Sequence, residues 1–409
     1  MIDRIKRMIL PDVEFRKEFI SFMYLFSFFQ GALVFSSLFI NLFLLSGSDM
    51  SHICVYNGVI WAVQPFVYFL SGYWGKKTNM PLQIRISMIS LSFAYLILIL
   101  LGKRASDYAV LLGVFTGIAN GFYYLPHSCL INELNDRTTV DAGLNILSLI
   151  GSVEGILIPL ISGFIVTLMP GISGYLTVFC FSFILMMCAF MISFRLPKTK
   201  STAKYNIIPP LKRYMTEKSW RTMLGIDVLR AFREGGLAFI ISILMFLCVP
   251  NELFVSFNST ICSVVTILAM SIVLKRLNAD NRLCYYNYNA LGIFLVSCIL
   301  FFNQGVFVLF LFSLVNAVGG SITANSSTAM EFDVFNQWNS IIEYRSETFA
   351  LREMLICYSR VVMMAILFFM EQKGMKSVSL VALYIVGICF VQCLMIYLLK
   401  LLQKEMLEE

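Results

Sequence analysis

Charged residues are scarce in this sequence. Only 13% of its 409 residues are charged, whereas soluble globular proteins are close to a quarter charged. Hydrophobic residues make up 59% of the chain, and the mean hydropathy is +0.81. This balance excludes a protein surrounded by water and predicts an integral membrane protein. The net charge of +7 does not indicate nucleic-acid binding, because the cations lie between apolar runs.

Motifs for metal binding, nucleotide binding and hydrolysis are missing as well. There are two histidines, His52 and His127, and the 11 cysteines include no CxxC pair. We therefore expect no metal site and reduced thiols that pack as small apolar groups. The chain has no HExxH and no GxSxG, and "GKKT" at 75–78 is not a complete phosphate-binding loop. These absences predict no cofactor, no ATP-driven step and no enzyme.

Twelve apolar runs are each long enough to cross about 30 Å of hydrocarbon as a helix. They are long and lack alternation, so they do not predict the strands of a barrel. The first run is too long for the core of a signal peptide, and we expect it to be retained. The runs lie at 19–45, 53–74, 82–102, 108–131, 142–169, 172–194, 222–248, 252–274, 283–303, 306–330, 351–370 and 376–399.

A polar, basic segment at 195–220 separates the sixth and seventh runs. We interpret it as a linker with a short surface helix over 211–217, between an N-terminal unit at 1–194 and a C-terminal unit at 221–409. If both termini are cytoplasmic, most of the 31 lysines and arginines fall on the cytoplasmic side, as expected for membrane proteins. The short loops and termini favour the cytoplasmic membrane of a bacterium.

The two halves of the chain repeat one another. "FFQGALVF" at 28–35 and "FREGGLAF" at 232–239 share four residues, and Gln30 in the first corresponds to Glu234 in the second. "KKTN" at 76–79 likewise recurs as "KRLN" at 275–278, and Glu154 in the fifth run corresponds to Arg360 in the eleventh. Several matches in the same order predict a duplicated unit of six helices.

Twelve spans, a six-plus-six repeat and a long basic middle segment resemble the major facilitator superfamily. Its motif between helices 2 and 3, Gly-x-x-x-Asp-Arg-x-Gly-Arg-Arg, is partly matched by "GYWGKKTNMP", where Gly72 and Lys77 fit but Lys76 replaces the Asp and Asn79 the second Gly. That Asp normally helps to lock the two halves, so its replacement calls this gate contact into question.

The resemblance implies an all-α membrane protein with twelve helices in two pseudo-symmetric six-helix bundles. It also implies a cavity lined chiefly by helices 1, 4, 7 and 10, with helices 2, 5, 8 and 11 forming the sliding interface. Substrate would bind near the midplane, and rocking of the two halves would expose it to alternate sides.

Four charged residues lie inside the seventh run. Asp227, Arg230 and Glu234 share one helical face, and Arg233 is adjacent to that face. A charge at the centre of a membrane helix costs about 2.5–3.5 kcal/mol, so these side chains must pair or face water. We expect Arg230 to pair with Glu234 and Asp227 to reach water. Arg233 would bind substrate and Glu234 would carry a proton; the alternative is a clamp that only positions the helix.

Further candidates come from the other polar positions of the apolar runs. Glu154 and Arg360 either relay protons or substrate, or form a pair that bridges helices. For Tyr124, packing in an aromatic core is the commoner role, and interhelical hydrogen bonds account equally well for the polar tenth run. The predicted substrate contacts are Arg230, Arg233, Gln30, Tyr124 and Asn325. The predicted proton-coupling residues are Glu234, Glu154 and Arg360.

The acidic segment 331–353 is an exception on a basic face. We interpret this loop either as an ordinary solvated helix, which the weakness of exposed ion pairs favours, or as a gate that pairs with Lys76 and Lys77. The predicted gating residues are Lys76, Lys77, Lys275, Arg276 and Glu331.

Together these features favour a monomeric secondary active transporter that moves a small organic solute across the lipid bilayer by alternating access, coupled to protons. Two alternatives stay open. One is a lipid or hydrophobic-peptide flippase of the same fold, and the other is a membrane sensor or immunity protein that transports nothing.

Overall fold

The computed structural model describes residues 15–47, 49–77, 79–135, 140–169, 171–197, 205–237, 239–273, 276–277, 281–338, 340–341, 343–372 and 378–408. Within these ranges the regular structure is helical. The α-helices are α1 Lys17–Gly47, α2 Met50–Gly75, α3 Met80–Leu101, α4 Ala109–Leu134, α5 Val140–Leu168, α6 Ser173–Ser193, α7 Ile208–Thr216, α8 Lys218–Leu237, α9 Ile240–Cys248, α10 Glu252–Val273, α11 Arg282–Phe302, α12 Val306–Asn336, α13 Arg345–Gln372 and α14 Val378–Glu408.

The described chain contains eleven helical stretches long and apolar enough to cross a membrane. One of them, Met80–Ile131, is 52 residues long and contains both α3 and most of α4. The prediction of an all-helical membrane protein is therefore confirmed, with 11 or 12 long apolar helices. The surface helix of the linker also forms, as α7, and it starts earlier than predicted because Pro209 and Pro210 occupy its first turn, where proline is tolerated.

The seventh apolar run is broken in two, which the hydropathy pattern does not show. Helix α8 ends at Leu237, one residue after the glycine pair Gly235 and Gly236, and α9 starts at Ile240. A Cβ on Gly235 would lie 2.6 Å from Arg360 Cγ, and one on Gly236 would lie 2.3 Å from Ile388 Cδ1. The glycines thus let α13 and α14 approach α8 closely, at the cost of a weaker helix.

The segment 331–353, interpreted as a loop with or without a helix, is mostly helical and continues the two flanking spans. Helix α12 continues to Asn336 and α13 begins at Arg345, so most of the acidic residues of this segment are helical. Both helices extend beyond the apolar runs, since polar side chains are tolerated where a helix packs against neighbouring helices rather than lipid. As a result, Glu331, Glu347 and Arg352 take fixed positions between helices.

Helix packing repeats along the chain. The two most extensive contacts between the halves join α2 with α13 and α5 with α10, and a smaller one joins α1 with α9. Small residues permit several close approaches, as predicted for Gly117 and Gly121 on α4, where a Cβ on Gly121 would lie 2.5 Å from Val67 Cβ. Five pairs in the first half, α1–α6, α2–α4, α3–α4, α3–α6 and α1–α5, recur in the second as α8–α14, α10–α12, α11–α12, α11–α14 and α8–α13.

Candidate functional site

The C-terminal half contains a closed ring of ion pairs that joins α8, α12 and α13. Arg230 Nη2 lies 2.7 Å from Asp227 Oδ1 and 3.4 Å from Glu331 Oε2. Arg352 contacts the same two carboxylates, with Nε 3.2 Å from Asp227 Oδ2 and Nη2 2.8 Å from Glu331 Oε2. The two carboxylates are buried and the two arginines are nearly so. Because each charge faces two of opposite sign, the ring holds four charges away from water.

Two sequence expectations change at this ring. Asp227 was expected to reach water, but it is buried, because α13 brings Arg352 onto it. The predicted pair of Arg230 with Glu234 forms, yet its Nε–Oε1 distance of 3.9 Å is the longest of the ion pairs of Arg230. Glu331, predicted as a gate at the surface, is a buried member of the ring.

Glu234 has its closest partner on another helix. Its Oε2 lies 2.9 Å from Arg360 Nη2, which joins α8 to α13. The side chains are 35% and 22% exposed, so this pair is more open to its surroundings than the ring. The Arg360 guanidinium carbon also lies 5.9 Å from the centre of the Trp61 ring on α2. The pair therefore stands at the contact between α2 and α13, where the two halves meet.

Arg233 points in a different direction, into the interior of the C-terminal half. Its Nη2 donates to Asn316 Oδ1 at 2.7 Å, and no described carboxylate lies within 4 Å of it. Gly320 makes room for the guanidinium, because a Cβ there would lie 2.8 Å from Nη2. With Glu234 and Gln392 it lines a cavity of about 10 Å³, at the lower limit for one water molecule. The residue is 7% exposed, so a solute has little access to it in this conformation.

A larger cavity of about 700 Å³ lies between the halves, at the end of the molecule where the linker runs. Residues of α2, α3 and α4 form one wall, and residues of α12, α13 and the segment before α13 form the other. Of the four helices expected to line the cavity, the fourth and tenth spans do so, as α4 and α12. Of the described lining residues none is on α1 or α8, and α2 and α13 take their places. This differs from the family expectation because the charged residues of α8, Arg230, Arg233 and Glu234, line the smaller cavity instead.

Tyr124 lines this cavity and is 42% exposed. Its neighbour Tyr123 is buried and stacks on Phe29, with ring centres 3.5 Å apart, and His127 packs against Tyr123 and Phe22. Packing in an aromatic core is thus the role of Tyr123 and His127, whereas Tyr124 faces a cavity large enough for a solute.

Polar groups of the cavity include charges of both signs. Lys76, Arg345 and Arg352 line it together with Glu133, Glu343 and Glu353. The four other predicted substrate contacts are not among its described lining residues. Arg230 and Arg233 line the smaller cavity, while Gln30 is partly buried on α1 and Asn325 is exposed on α12. At the opposite end the halves pack tightly, because a Cβ on Gly163 would lie 2.3 Å from Ser256 Oγ.

Glu154 does not meet Arg360. Its Oε1 accepts a hydrogen bond of 2.6 Å from Ser27 Oγ on α1, and its buried Oε2 has no described hydrogen-bond partner. The alternative of a Glu154–Arg360 pair between helices is therefore wrong, because each residue binds a partner within its own half.

The predicted gating residues behave differently from one another. Lys76 Nζ lies 2.5 Å from Glu347 Oε1, so α2 is tied to α13, while Lys77 is exposed and donates to Tyr73 on its own helix. Arg276 is exposed, and Lys275 lies outside the described residues. Glu347 therefore fits the interpretation of the acidic segment as a gate better than its interpretation as a solvated segment.

Sequence reasoning did not select Glu347 and Arg352 as site residues. Both were assigned to a loop, because hydropathy falls where α13 begins. A helical projection carried back from Arg360 would have drawn attention to Arg352, since eight residues place the two about 80° apart around the helix.

Comparisons with known proteins give a fold but no close relative. No family model matches the chain. It is 23% identical over 355 residues to the uncharacterized protein YqgE of Bacillus subtilis, covering 87% of this chain and 83% of that protein. It is 28% identical over 145 residues to an uncharacterized protein of Geobacillus stearothermophilus, covering 35% of this chain and 68% of that protein.

Solved structures match almost the whole chain. One, from a study of substrate recognition in proton-dependent oligopeptide transporters, superposes with a TM-score of 0.71 at 9% identity, covering 96% of this chain and 99% of that one. This chain has the major facilitator fold. A peptide transporter solved with sulfate gives a TM-score of 0.70 at 11% identity and 98% coverage of both chains. The human organic anion transporter MFSD10 gives 0.63 at 11% identity, covering 93% of this chain and all of that one.

The major facilitator fold confirms the resemblance drawn from the sequence. These neighbours are transporters and not enzymes. In this fold the helix pairs expected at the sliding interface are α2–α13 and α5–α10. Here the two helices of each pair pack against one another. The Glu234–Arg360 pair therefore lies beside one of these two contacts between the halves.

Proposed function

We propose that this protein is a secondary active transporter that moves a small organic solute by alternating access, coupled to protons. The major facilitator fold supports it, as do the neighbours, which include proton-dependent oligopeptide transporters. The cavity of about 700 Å³ is within the usual range of about 300–1,000 Å³ for small-molecule sites. We take the cavity, with Tyr124 in its wall, as part of the solute pathway.

The moving parts we propose are two six-helix bundles, 1–194 and 221–409, joined by a linker at 195–220. The recurrence of five helix pairs six spans later supports this division. The two most extensive contacts between the halves support it as well, because α5 and α10 are the fifth and eighth spans and their counterparts in the repeat, the eleventh and second spans, are α13 and α2. The distribution of lysine and arginine supports cytoplasmic termini in the cell membrane, and we propose on this basis that the larger cavity is on the cytoplasmic side.

The observation that carries proton coupling is the Glu234–Arg360 pair. A proton on Glu234 removes the charge that holds Arg360, and Arg360 is on the helix that contacts α2. Protonation would therefore change the relative free energy of conformations that differ at α2–α13. Intramembrane ionisable groups of this kind are functional by default. Arg230 and Arg233 then act as supporting charges, and Glu154 is a second protonatable group in the other half.

The test uses proteoliposomes with an imposed pH gradient. The probes are dialanine, trialanine, 5-aminolevulinic acid and benzoate, which represent the solutes of the transporter neighbours. We expect gradient-driven accumulation of at least one probe, and Glu234→Gln should reduce it by about tenfold or more while exchange of labelled for unlabelled solute persists.

Glu217→Gln is the matched control, because Glu217 pairs with Arg213 in the linker region and is partly exposed. Undiminished gradient-driven accumulation in Glu234→Gln would remove Glu234 from the mechanism. Movement of a fluorescent phospholipid in the same vesicles, with none of the soluble probes, would favour a flippase instead.

A further inference from the structure

In the described chain one ion pair, Lys76 with Glu347, joins the end of α2 to α13, and the linker contacts it. Glu347, at the start of α13, has a side chain with 0% exposure, and that of Lys76 is 10% exposed. Besides Lys76, Glu347 accepts two hydrogen bonds. The backbone N–H of Asn206, in the linker, donates to Oε1 at 3.1 Å, and Ser346 Oγ donates to Oε2 at 2.8 Å.

Tyr205, the residue before Asn206, packs against α2 at the same place. Its ring fills the space left by Gly72, where a Cβ would lie 2.9 Å from Tyr205 Cε2. The ring centre lies 5.7 Å from that of Phe69 and 5.8 Å from Lys76 Nζ. Burial and the charge of Glu347 raise the pKa of Tyr205, so the ring stays neutral beside the ion pair.

The other end of the linker is fastened to the C-terminal half. Tyr214 on α7 packs on Trp220 of α8 at 5.0 Å between ring centres, and Trp220 packs on Trp338 at 5.8 Å. The segment from Tyr205 to Tyr214 therefore contacts α2 of one half and α8 of the other. A chain segment held at both ends in this way can report or restrain the separation of the halves.

We propose that Lys76 and Glu347 form a latch between the halves, with Tyr205 and Asn206 as its positioning residues. The inference rests on the proposed alternating access. The acid that the family places near this turn of helix 2 is replaced here by Lys76, and the acid is supplied from α13. The polarity of the contact is thus reversed, and the linker backbone completes the coordination of the carboxylate. The buried pair favours the conformation in which this end of α2 stays on α13.

The test measures opening without a substrate. Cys129 lines the large cavity and is partly buried, whereas Cys284 is exposed on α11. In lipid nanodiscs, the rate of maleimide labelling of Cys129 relative to Cys284 is followed by peptide mass spectrometry. Lys76→Glu and Glu347→Lys should each raise the ratio about tenfold, because each leaves two like charges buried together. The double exchange should return it to within about threefold of the unmodified protein, since an ion pair is restored.

Recovery should be incomplete, because a lysine at 347 offers no acceptor to the Asn206 N–H. Tyr205→Ala tests the linker directly and should raise the ratio about threefold by removing packing on Gly72. Lys77→Glu is the matched control, since Lys77 is exposed and contacts Tyr73, and it should leave the ratio unchanged. If Glu347→Lys fails to fold, Glu347→Gln keeps the acceptor for Asn206 and removes only the charge.

Unchanged labelling in Lys76→Glu and Glu347→Gln would overturn the latch, and unchanged labelling in Tyr205→Ala would overturn the role of the linker. Failure to recover in the double exchange would also overturn the pairing. These results are independent of the transport assay. Gradient-driven uptake in a protein whose labelling ignores these changes would leave the proposed function standing without the latch.

Discussion

Two helix pairs in equivalent places use different chemistry. In the N-terminal half, α1 meets α5 through a hydrogen bond from Ser27 to Glu154. In the C-terminal half, α8 meets α13 through the ion pair of Glu234 with Arg360. Glu154 and Arg360 correspond in the repeat, whereas the partner on the first helix has moved by about one turn, from Ser27 to the position equivalent to Gln30.

The difference shows how a repeated architecture can divide its tasks. The described N-terminal half buries an aromatic group around Tyr123 and His127 near this contact. The C-terminal half buries a ring of four charges and places a more exposed ion pair next to it. The packing of phenylalanine rings does not depend on protonation, whereas protonation of a carboxylate abolishes its ion pair. We therefore expect the C-terminal half to sense protons and the N-terminal half to act mainly as the surface against which it moves.

The largest effect should come from opening the ring of charges. Arg352→Met leaves Asp227 and Glu331 buried with Arg230 as their shared counter-charge, and we expect a loss of about 3–5 kcal/mol in stability. Thermal unfolding in detergent micelles measures this. Arg282→Met is the matched control, because its partner Asp333 is 45% exposed and the expected loss is below about 1 kcal/mol. Equal losses of stability in the two variants would show that the buried ring contributes no more than an exposed ion pair does.

A smaller effect should separate the two repeated glycines. A Cβ on Gly235 would lie 2.6 Å from Arg360 Cγ, whereas one on Gly31 would meet its nearest neighbour, Ile158 Cδ1, at 3.6 Å. Gly235→Ala should therefore cost about 1–3 kcal/mol through overpacking, and it should weaken proton-driven uptake by displacing Arg360. Gly31→Ala should be close to neutral. The same unfolding assay compares the two variants. A loss of stability in Gly31→Ala as large as that in Gly235→Ala would mean that the two halves are packed more alike than these distances indicate.

The smallest effect compares the two pairs themselves through double-mutant cycles. For Glu234→Gln with Arg360→Met we expect a coupling energy of about 1 kcal/mol, since both side chains are partly exposed. For Ser27→Ala with Glu154→Met, which removes the acceptor, we expect about 0.5–1.5 kcal/mol, the usual range of one hydrogen bond. Raising the salt concentration should reduce the first coupling and leave the second unchanged. A salt-dependent Ser27–Glu154 coupling would contradict the division of tasks between the halves.

Much of the fold was predictable from the sequence, because each apolar run is a local property. A helix in a membrane satisfies its own backbone hydrogen bonds, so length and hydropathy suffice to locate most spans. The same locality explains the errors. The break between α8 and α9 and the extension of α12 and α13 depend on neighbouring helices, which hydropathy does not register.

The candidate site was only half predictable. Burial cost alone selected Arg230, Arg233, Glu234 and Arg360 as residues that must find partners. Their partners are up to 126 positions away in the chain, as for Glu234 and Arg360, and no local pattern encodes such a distance. Arg233 illustrates the limit, because neighbouring positions on a helix point about 100° apart, and only packing decided that it faces Asn316 while Glu234 faces Arg360.

Composition and periodicity by themselves determined that this chain enters a membrane as a set of long helices and that a few charges are buried among them. Tertiary structure alone decided which charges meet, that Lys76 binds Glu347 while Lys77 does not, and that the linker lies against that pair. The physical reason is that insertion into hydrocarbon is governed by each segment's own transfer free energy. Pairing is governed by distances of a few ångströms between segments, which exist only after the helices have packed.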